Sequence, residues 1–182
     1  HDLSFVKVPE AASAKLKAYL DRIVPASIDK ADHVIADSQA TKNDIINLYN
    51  ISSAKISVLL SGVDSRFKPL SPSLVSMTMR RKYNIPDKPY IFTIGTVQPR
   101  KNYGRIAEAL SNLHRLNIDI DLVIAGGHGW REDEIYKRIS ELKLSDRIHF
   151  IGYADDDDLP ALYSMATCVA FPSLYEGFGF PV

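Results

Sequence analysis

The sequence has no excess of charge of either sign, because 22 Lys and Arg residues are balanced by 22 Asp and Glu residues among 182. A protein that binds nucleic acid over a broad surface needs a basic excess on one face, so the composition argues against a nucleic-acid partner. An anionic ligand must instead be held locally. The length is sufficient for one or two domains with proper cores.

Cysteine is almost absent as well. Cys168 is the single thiol, so no disulfide can form within the chain, which is typical of an intracellular protein. The thiol lies in the apolar run Cys-Val-Ala-Phe, and this run predicts a buried core residue in preference to a catalytic nucleophile. We expect a cytoplasmic location.

Long apolar runs are also missing, since no segment approaches the roughly 18 to 20 residues that cross a bilayer. Residues 11–30 form an amphipathic stretch with Lys15 and Lys17. We expect this stretch to be a helix, broken or kinked at Pro25, that packs on its own domain. The alternative is a peripheral contact with the inner face of a membrane.

The chain begins at His1 without a Met and ends on Phe180-Pro181-Val182, inside a predicted loop. We therefore expect both ends to be cuts in a longer protein, with an incomplete domain at each end.

The first third of the chain predicts the end of one domain. Strands are expected at 33–36 and 56–60, and Asp37-Ser38 is a good N-cap for a helix from about Ala40 to Tyr49. Gly, Pro and Ser then cluster without periodicity at 61–73, which marks a boundary. These features divide the sequence into a domain end at 1–62, a linker and domain entry at 63–88 with a helix at 73–83, and a second domain at 89–182.

Short apolar strands alternate with helices from Pro89 onward. The strands are expected at 90–94, 121–125, 147–151 and 168–171, and the helices at 102–116, 131–142 and 157–166. This alternation predicts an α/β fold with a doubly wound parallel sheet. Four Asp residues at 155–158 fit the start of the last helix, where carboxylates suit the helix dipole; a metal site is the alternative interpretation.

Ligands of an open parallel sheet bind outside the carboxyl ends of its strands, so the loops there are the candidate site. The loop at 95–102 places Arg100 and Lys101 just before a helix. Two cations and helix N-terminal amides can hold a diphosphate. A solvated Arg-Lys pair in a turn is the alternative.

The loop Gly126-Gly127-His128-Gly129 fits neither the GxGxxG spacing nor a Walker sequence. Its glycines permit a ligand to approach the backbone closely. His128 could be a base or a ligand, but a lone His in a glycine turn is more often an exposed residue without a role.

The loop at 173–181 combines a carboxylate, two glycines and aromatic residues. Gly177 and Gly179 flank Phe178 directly after Glu176. Such a loop can turn several backbone N–H groups toward one ligand, and Glu176 can bind sugar hydroxyls. A purely structural turn would leave the aromatic side chains exposed without cause.

The motifs GTVQPRKN, DLVIAGG, RIHFIGY and LPALYSMATCVAFPSLYEGFGFP together resemble the retaining, mannosyltransferase-like (group 1) glycosyltransferases, which have two Rossmann-like domains in the GT-B arrangement. The likeness covers the whole chain, because HDL, ADHVIADSQATKNDI and ISVLLSGVD look like the end of the acceptor-side domain of those enzymes. Each motif alone is weak. The resemblance implies a Rossmann-like donor domain preceded by the last part of a second Rossmann-like domain.

The resemblance also implies roles for individual residues. Arg100 and Lys101 match the pair that neutralises the donor diphosphate. The remaining matches are Glu176, the first Glu of a Glu-x7-Glu motif, as a catalytic residue at the donor sugar; Gly177, Phe178 and Gly179 as the loop facing that sugar and the phosphate; Gly152 and Tyr153 as the base-binding region; and His1 as a catalytic-cleft residue near the reacting carbon.

The sequence departs from the family pattern at two positions. Thr96 stands where many relatives have an Arg, which leaves the phosphate contact to Arg100 and Lys101. The second Glu of the motif would fall at position 184, eight residues after Glu176 and beyond Val182.

The implied activity is transfer of a sugar, with mannose as a candidate, from a nucleoside-diphosphate sugar to the hydroxyl of a glycan or lipid-linked acceptor, with retention. No convincing Asp-x-Asp motif lies at a strand end, so we expect no metal and no cofactor. The isolated chain is expected to be inactive. A sugar-nucleotide 2-epimerase of similar shape and a non-catalytic nucleotide-binding module remain as alternatives.

Overall fold

The computed structural model describes residues 1–181, with the side chains of all but residues 11 and 72–75. The predicted end of the second domain at Val182 therefore lies outside the described residues. The chain divides into two compact units. The first unit contains residues 1–62 and 173–180, and the second contains residues 63–172 and Pro181.

The first unit is a small α/β body. Its elements in chain order are α1 (Ser4–Lys7), α2 (Ala14–Lys30), β1 (Val34–Ala36), α3 (Gln39–Tyr49) and β2 (Ile56–Val58). The two strands pair in parallel, with Val34 opposite Ile56. One apolar cluster joins strands and helices, and its buried members are Leu3, Phe5, Ala12, Ile28, Ala36, Ile45 and Ile56.

Helix α2 continues through Pro25, so the predicted break at this residue is wrong. Proline removes the backbone bond to the carbonyl four residues earlier, and that carbonyl belongs to Asp21, which is exposed to water. On either side of the proline, Val24 and Ile28 pack in the apolar cluster of the unit. This packing holds the helix together across the missing bond.

Helix α3 begins where the sequence predicts. Ser38 is its N-cap, and the Ser38 hydroxyl accepts a hydrogen bond from the backbone N–H of Thr41. The helix ends at Tyr49, and its C-cap Asn50 has a left-handed backbone with φ 52°. Asparagine tolerates that conformation better than most residues, so it is a suitable end for a helix.

The second unit carries the larger sheet. Its elements in chain order are α4 (Pro72–Tyr83), β3 (Tyr90–Ile94), α5 (Tyr103–Arg115), β4 (Asp121–Ala125), α6 (Glu132–Glu141), β5 (Ile148–Gly152), α7 (Leu159–Met165) and β6 (Cys168–Val169). The four strands are parallel and lie in the order β5-β4-β3-β6. Strands β3 and β4 agree with the prediction at both ends.

Apolar cores lie on both faces of this sheet. On β4, Leu122 and Ile124 face a cluster that contains residues of α5 and α6. The alternate residues Val123 and Ala125 face a cluster that contains residues of α4 and α7. Because successive side chains of a strand point to opposite faces, one strand serves both cores. The predicted doubly wound α/β fold is confirmed.

Strand β6 differs from the prediction. It is two residues long and lies at the edge of the sheet beside β3. Cys168 is exposed there, so its predicted burial as a core thiol is wrong. An apolar run buries its side chains only where neighbours cover both faces, and at this edge even Val169 is 39% exposed.

Within residues 1–181, none of the helices is long and apolar enough to cross a membrane.

Candidate functional site

The order of strands in the second unit locates a candidate site. From β3 the chain passes to β4, which lies on one side of β3, and it later enters β6, which lies on the other side. Ligands of doubly wound sheets bind at such a reversal, outside the carboxyl ends of the two strands. In this unit the reversal brings together the loop after β3, residues 95–102, and the residues that follow β6.

Lys101 lies at this reversal. It is 8% exposed, and its ammonium nitrogen is 4.7 Å from the centre of the Phe171 ring, which follows β6. Its side chain also covers Gly95: a Cβ on that glycine would stand 2.8 Å from the Cε of Lys101. A cation over an aromatic face is stabilised by the electrons of the ring. The lysine is therefore held in one place between two loops.

Two further bonds fix the start of helix α5 beside Lys101. Asn102 has a left-handed backbone with φ 59°, and its side-chain amide donates to the carbonyl of Pro172 over 3.1 Å. The Tyr103 hydroxyl donates to the carbonyl of Gly95 over 2.8 Å. Arg100 is half-buried in the same turn. Both predicted cations thus lie at the N-terminus of a 13-residue helix, which attracts anions.

The glycine loop after β4 packs against the loop after β3. A Cβ on Gly126 would stand 2.1 Å from the backbone oxygen of Gly95, and one on Gly129 would stand 2.1 Å from that of Val97. The backbone of Val97 donates to the carbonyl of Gly127, which extends the ladder beyond the strands. Two of the glycines are therefore required by the neighbouring loop, whereas Gly127 has open space around it.

His128 points away from this packing. Its side chain is 84% exposed, and its Nδ1 atom is 3.0 Å from a carboxylate oxygen of Glu132, the first residue of α6.

Gly152 is the last residue of β5 and Tyr153 follows it, at the same edge of the sheet. The backbone N–H of Gly126 donates to the carbonyl of Gly152 over 2.7 Å. Gly152 has a left-handed φ of 69°, and Tyr153 is 75% exposed. The tyrosine therefore presents most of its ring to solvent.

The four Asp residues at 155–158 immediately precede helix α7, as predicted. Three of them pair with cations of the same unit: Lys82 contacts Asp155 and Asp158, and Arg66 contacts Asp157. Burial raises the pKa of Asp158, and hydrogen bonds from Lys82 and Tyr83 lower that pKa by more, so the carboxyl titrates below its ordinary range. Among residues 1–181, no three His, Cys, Asp or Glu side chains are grouped as metal ligands.

The loop with Glu176 belongs to the first unit, where Gly177 fits against the chain terminus and helix α3. A Cβ on Gly177 would stand 2.6 Å from the backbone oxygen of His1 and 2.8 Å from the Cβ of Asp2. The carbonyl of Gly177 accepts a hydrogen bond from the Ser38 hydroxyl over 2.5 Å. The residue after Glu176 is thus buried and must be glycine.

The residue before Glu176 is bonded as well. The Tyr175 hydroxyl donates to one carboxylate oxygen of Asp44 over 2.5 Å, and Lys7 contacts the other oxygen over 2.5 Å. Burial raises the pKa of the Tyr175 hydroxyl, and the bond to Asp44 raises it further, so this hydroxyl keeps its proton and remains a donor. Asp44 itself is 13% exposed at the side chain.

The remaining predicted residues of the first unit lie near the same loop. The side chain of His1 is fully exposed, and its Nδ1 atom is 3.5 Å from a carboxylate oxygen of Asp37. Phe178 and Phe180 are exposed, with ring centres 4.9 Å apart.

The structure therefore groups the predicted residues in two sets. Arg100, Lys101, Gly152 and Tyr153 lie in the second unit, and His1, Glu176, Gly177, Phe178 and Gly179 lie in the first. No pattern in the sequence indicates that Phe171 lies beneath Lys101. None indicates the contact of Asp44 with Tyr175 either, because the two residues are separated by 131 positions.

Comparison with protein families gives two matches that together span most of the chain. The model of the group 1 glycosyl transferases matches residues 76–182, and that of Glycosyltransferase Family 4 matches residues 1–67.

Characterised proteins agree with these matches. The chain is 30% identical over its whole length to O-antigen chain mannosyltransferase B of Escherichia coli, of which it covers 48%. It is 28% identical over 98% of its length to D-inositol 3-phosphate glycosyltransferase of Salinispora tropica, of which it covers 40%. The chain thus spans less than half the length of both relatives.

Solved structures share the fold. The structure of Anabaena HepE in complex with UDP and glucose matches 97% of this chain and 47% of the HepE chain. The TM-score is 0.76 at 23% sequence identity. Sucrose-phosphate synthase of Thermosynechococcus elongatus matches 98% of this chain and 43% of the synthase chain. The TM-score is 0.73 at 22% sequence identity. These are GT-B structures, and the sheet of the second unit is the Rossmann-like part of that fold. With its family match over residues 76–182, the chain belongs to the group 1 glycosyl transferases.

Proposed function

We propose that the full-length protein transfers mannose from a nucleoside-diphosphate sugar to a hydroxyl of a glycan or lipid-linked acceptor, with retention of the anomeric configuration. The observation that carries the proposal is the position of Lys101, which is held over Phe171 at the strand-order reversal and directly before helix α5. A buried cation at a helix N-terminus is suited to a diphosphate.

In this proposal Arg100, Lys101 and the first N–H groups of α5 stabilise the departing diphosphate. Breaking the bond between sugar and phosphate places negative charge on the leaving oxygen, and preorganised donors lower the barrier by meeting that charge. We propose that these groups act without a metal ion or another cofactor.

The first unit supplies the groups for the sugar in the same proposal. Glu176 contacts hydroxyls of the donor sugar, and the backbone from Gly177 to Gly179 faces that sugar and the phosphate. His1 lies near the reacting carbon. Gly152 and Tyr153, in the second unit, contact the base. The acceptor oxygen then bonds to the anomeric carbon on the face from which the diphosphate departs, and the acceptor hydroxyl gives its proton to the departing phosphate oxygen. The configuration is retained without an enzymic nucleophile.

Mannose and a polysaccharide acceptor are favoured by the relatives. Besides mannosyltransferase B, the chain is 27% identical over its whole length to O-antigen chain mannosyltransferase RfbU of Salmonella typhimurium. We include a peripheral contact with the inner membrane face, because a lipid-linked acceptor would be presented there. Residues 1–62 then correspond to the C-terminal part of the acceptor-side domain and residues 89–182 to a part of the donor domain.

The test uses the full-length protein with a panel of UDP-, GDP- and dTDP-sugars and candidate acceptors. Formation of an α-mannoside from an α-linked donor, unaffected by a chelator, is the expected result. Epimerised nucleotide sugar, or nucleotide binding without a product, would replace the proposal by one of the alternatives. Residues 1–182 alone should give no product, because holding both substrates in place contributes about 7 to 11 kcal/mol to such reactions.

A further inference from the structure

The loop that carries Glu176 is bonded on both sides of that residue to one helix of the first unit. Tyr175, immediately before it, donates to Asp44 of α3 over 2.5 Å, and Gly177, immediately after it, accepts from Ser38, the N-cap of α3, over 2.5 Å. We infer that Tyr175, Asp44 and Ser38 are positioning residues that set the orientation of Glu176. This inference rests on the proposed function, since the role of Glu176 belongs to it.

The hydrogen bond between Tyr175 and Asp44 is a strong one. Both oxygens of this nearly buried carboxylate are used, one by the Tyr175 hydroxyl and the other by the ammonium group of Lys7. A hydrogen bond to an ionised group is shorter and about twice as strong as a neutral one. Lys7 holds the carboxylate in place, so the tyrosine meets an acceptor that is already oriented.

The contact at Ser38 uses the only proton of its hydroxyl. Ser38 Oγ lies 2.5 Å from the carbonyl of Gly177 and 3.1 Å from the hydroxyl oxygen of Thr41. Since one proton serves one acceptor best, the shorter contact takes it. The lone pairs of the same oxygen accept from the Thr41 backbone, which caps the helix. The start of α3 and the loop are thus held by one atom.

Steric fit leaves the loop no freedom to slide. A Cβ on Gly177 would be 2.6 Å from the oxygen of His1, and this oxygen is itself 3.4 Å from the Thr41 hydroxyl. A shift of the loop along α3 would break both hydrogen bonds together. A misplacement of about 1 Å can cost about 100-fold in rate, so the orientation matters for the proposed transfer.

The experiment is a double-mutant cycle in the full-length protein with Tyr175→Phe and Glu176→Gln. Tyr175→Phe alone should lower kcat by about 10- to 100-fold and leave the affinity for the nucleoside diphosphate unchanged. In the Glu176→Gln background the same change should have little further effect, because groups that act as a unit are not additive. Tyr49→Phe is the matched control. Tyr49 lies on α3, the helix that carries Asp44, and its hydroxyl has no hydrogen-bond partner among the described residues.

Two results would overturn the inference. One is an unchanged kcat for Tyr175→Phe, and the other is a rate loss of the same factor whether residue 176 is Glu or Gln. Hydrogen exchange of the 173–180 backbone gives a readout that does not depend on transfer: it should accelerate in Tyr175→Phe and not in Tyr49→Phe. If the wild type transfers no sugar, the proposed function fails; unchanged exchange in Tyr175→Phe removes the positioning role in either case.

Discussion

The backbone oxygen of Gly95 occupies the space that a side chain on Gly126 would need, since a Cβ there would lie 2.1 Å from it. The two glycines directly follow neighbouring strands, and the N–H of Gly95 donates to the carbonyl of Ala125 over 2.8 Å. Their close approach keeps the loops after β3 and β4 together. The absence of a side chain at Gly126 is therefore a structural requirement of the candidate phosphate site.

Gly126→Ala should destabilise the protein strongly. Its φ of 142° costs a residue with a Cβ about 1 to 3 kcal/mol, and the clash adds about 1 to 3 kcal/mol. We expect a loss of about 2 to 6 kcal/mol in the free energy of unfolding, measured with urea. Gly127→Ala is the control and should stay within about 0.5 kcal/mol of wild type, because nothing lies within 4 Å of its Cβ position. Similar losses in both variants would contradict this account.

The elements that the sequence predicted best are the ones buried on both faces. Strands β3 and β4 are mostly apolar, and every residue of β4 is buried. A short run of this kind between two predicted helices is interpreted as a strand. The predicted burial of Cys168 was wrong because its run is apolar too but forms a strand at the edge of the sheet. The order of the strands cannot be predicted from local composition.

The candidate site was predictable only in part for a related reason. Arg100 and Lys101 stand out as charges in a loop, but the Phe171 ring beneath Lys101 is 70 positions further along the chain. The glycines at 126 and 129 suggested a ligand, whereas a neighbouring backbone accounts for them. Contacts between distant segments depend on the fold, and a single sequence does not show them.

Lys101→Met in the full-length protein should weaken binding of the nucleoside diphosphate by about 1.5 to 3 kcal/mol, the value of a hydrogen bond to a charged group. Methionine keeps an unbranched side chain against Phe171, so the packing is largely retained. Titration calorimetry should show no loss for the nucleoside without phosphates. Lys137→Met, on the exposed side of α6, controls for the change in net charge. Equal losses for both ligands would mean that Lys101 acts through folding.

Asp158→Asn should destabilise the protein in a pH-dependent way. The folded-state pKa of Asp158 lies below its ordinary 3.8, so its contribution is present above that value and is lost as the pH falls through the folded-state pKa. The difference in urea midpoint between wild type and variant should therefore be full at pH 7 and shrink below pH 3.8. Asp156→Asn, at an exposed carboxylate of the same run, is the control. A difference independent of pH would contradict the role of the charged pair with Lys82.

Substitutions at Ser38 separate its two tasks, which are to cap α3 and to hold the loop at Gly177. Ser38→Ala loses both, and the missing cap should lower the free energy of unfolding by about 0.5 to 2 kcal/mol. Ser38→Asp retains a good N-cap, so its stability should be close to that of wild type, but a carboxylate has no proton to give to the Gly177 carbonyl. Hydrogen exchange of residues 173–180 should therefore accelerate in both variants, because local opening follows local bonds. If Ser38→Asp restored the protection of the loop together with the stability of the helix, the loop would depend on the stability of α3 and not on the bond from Ser38.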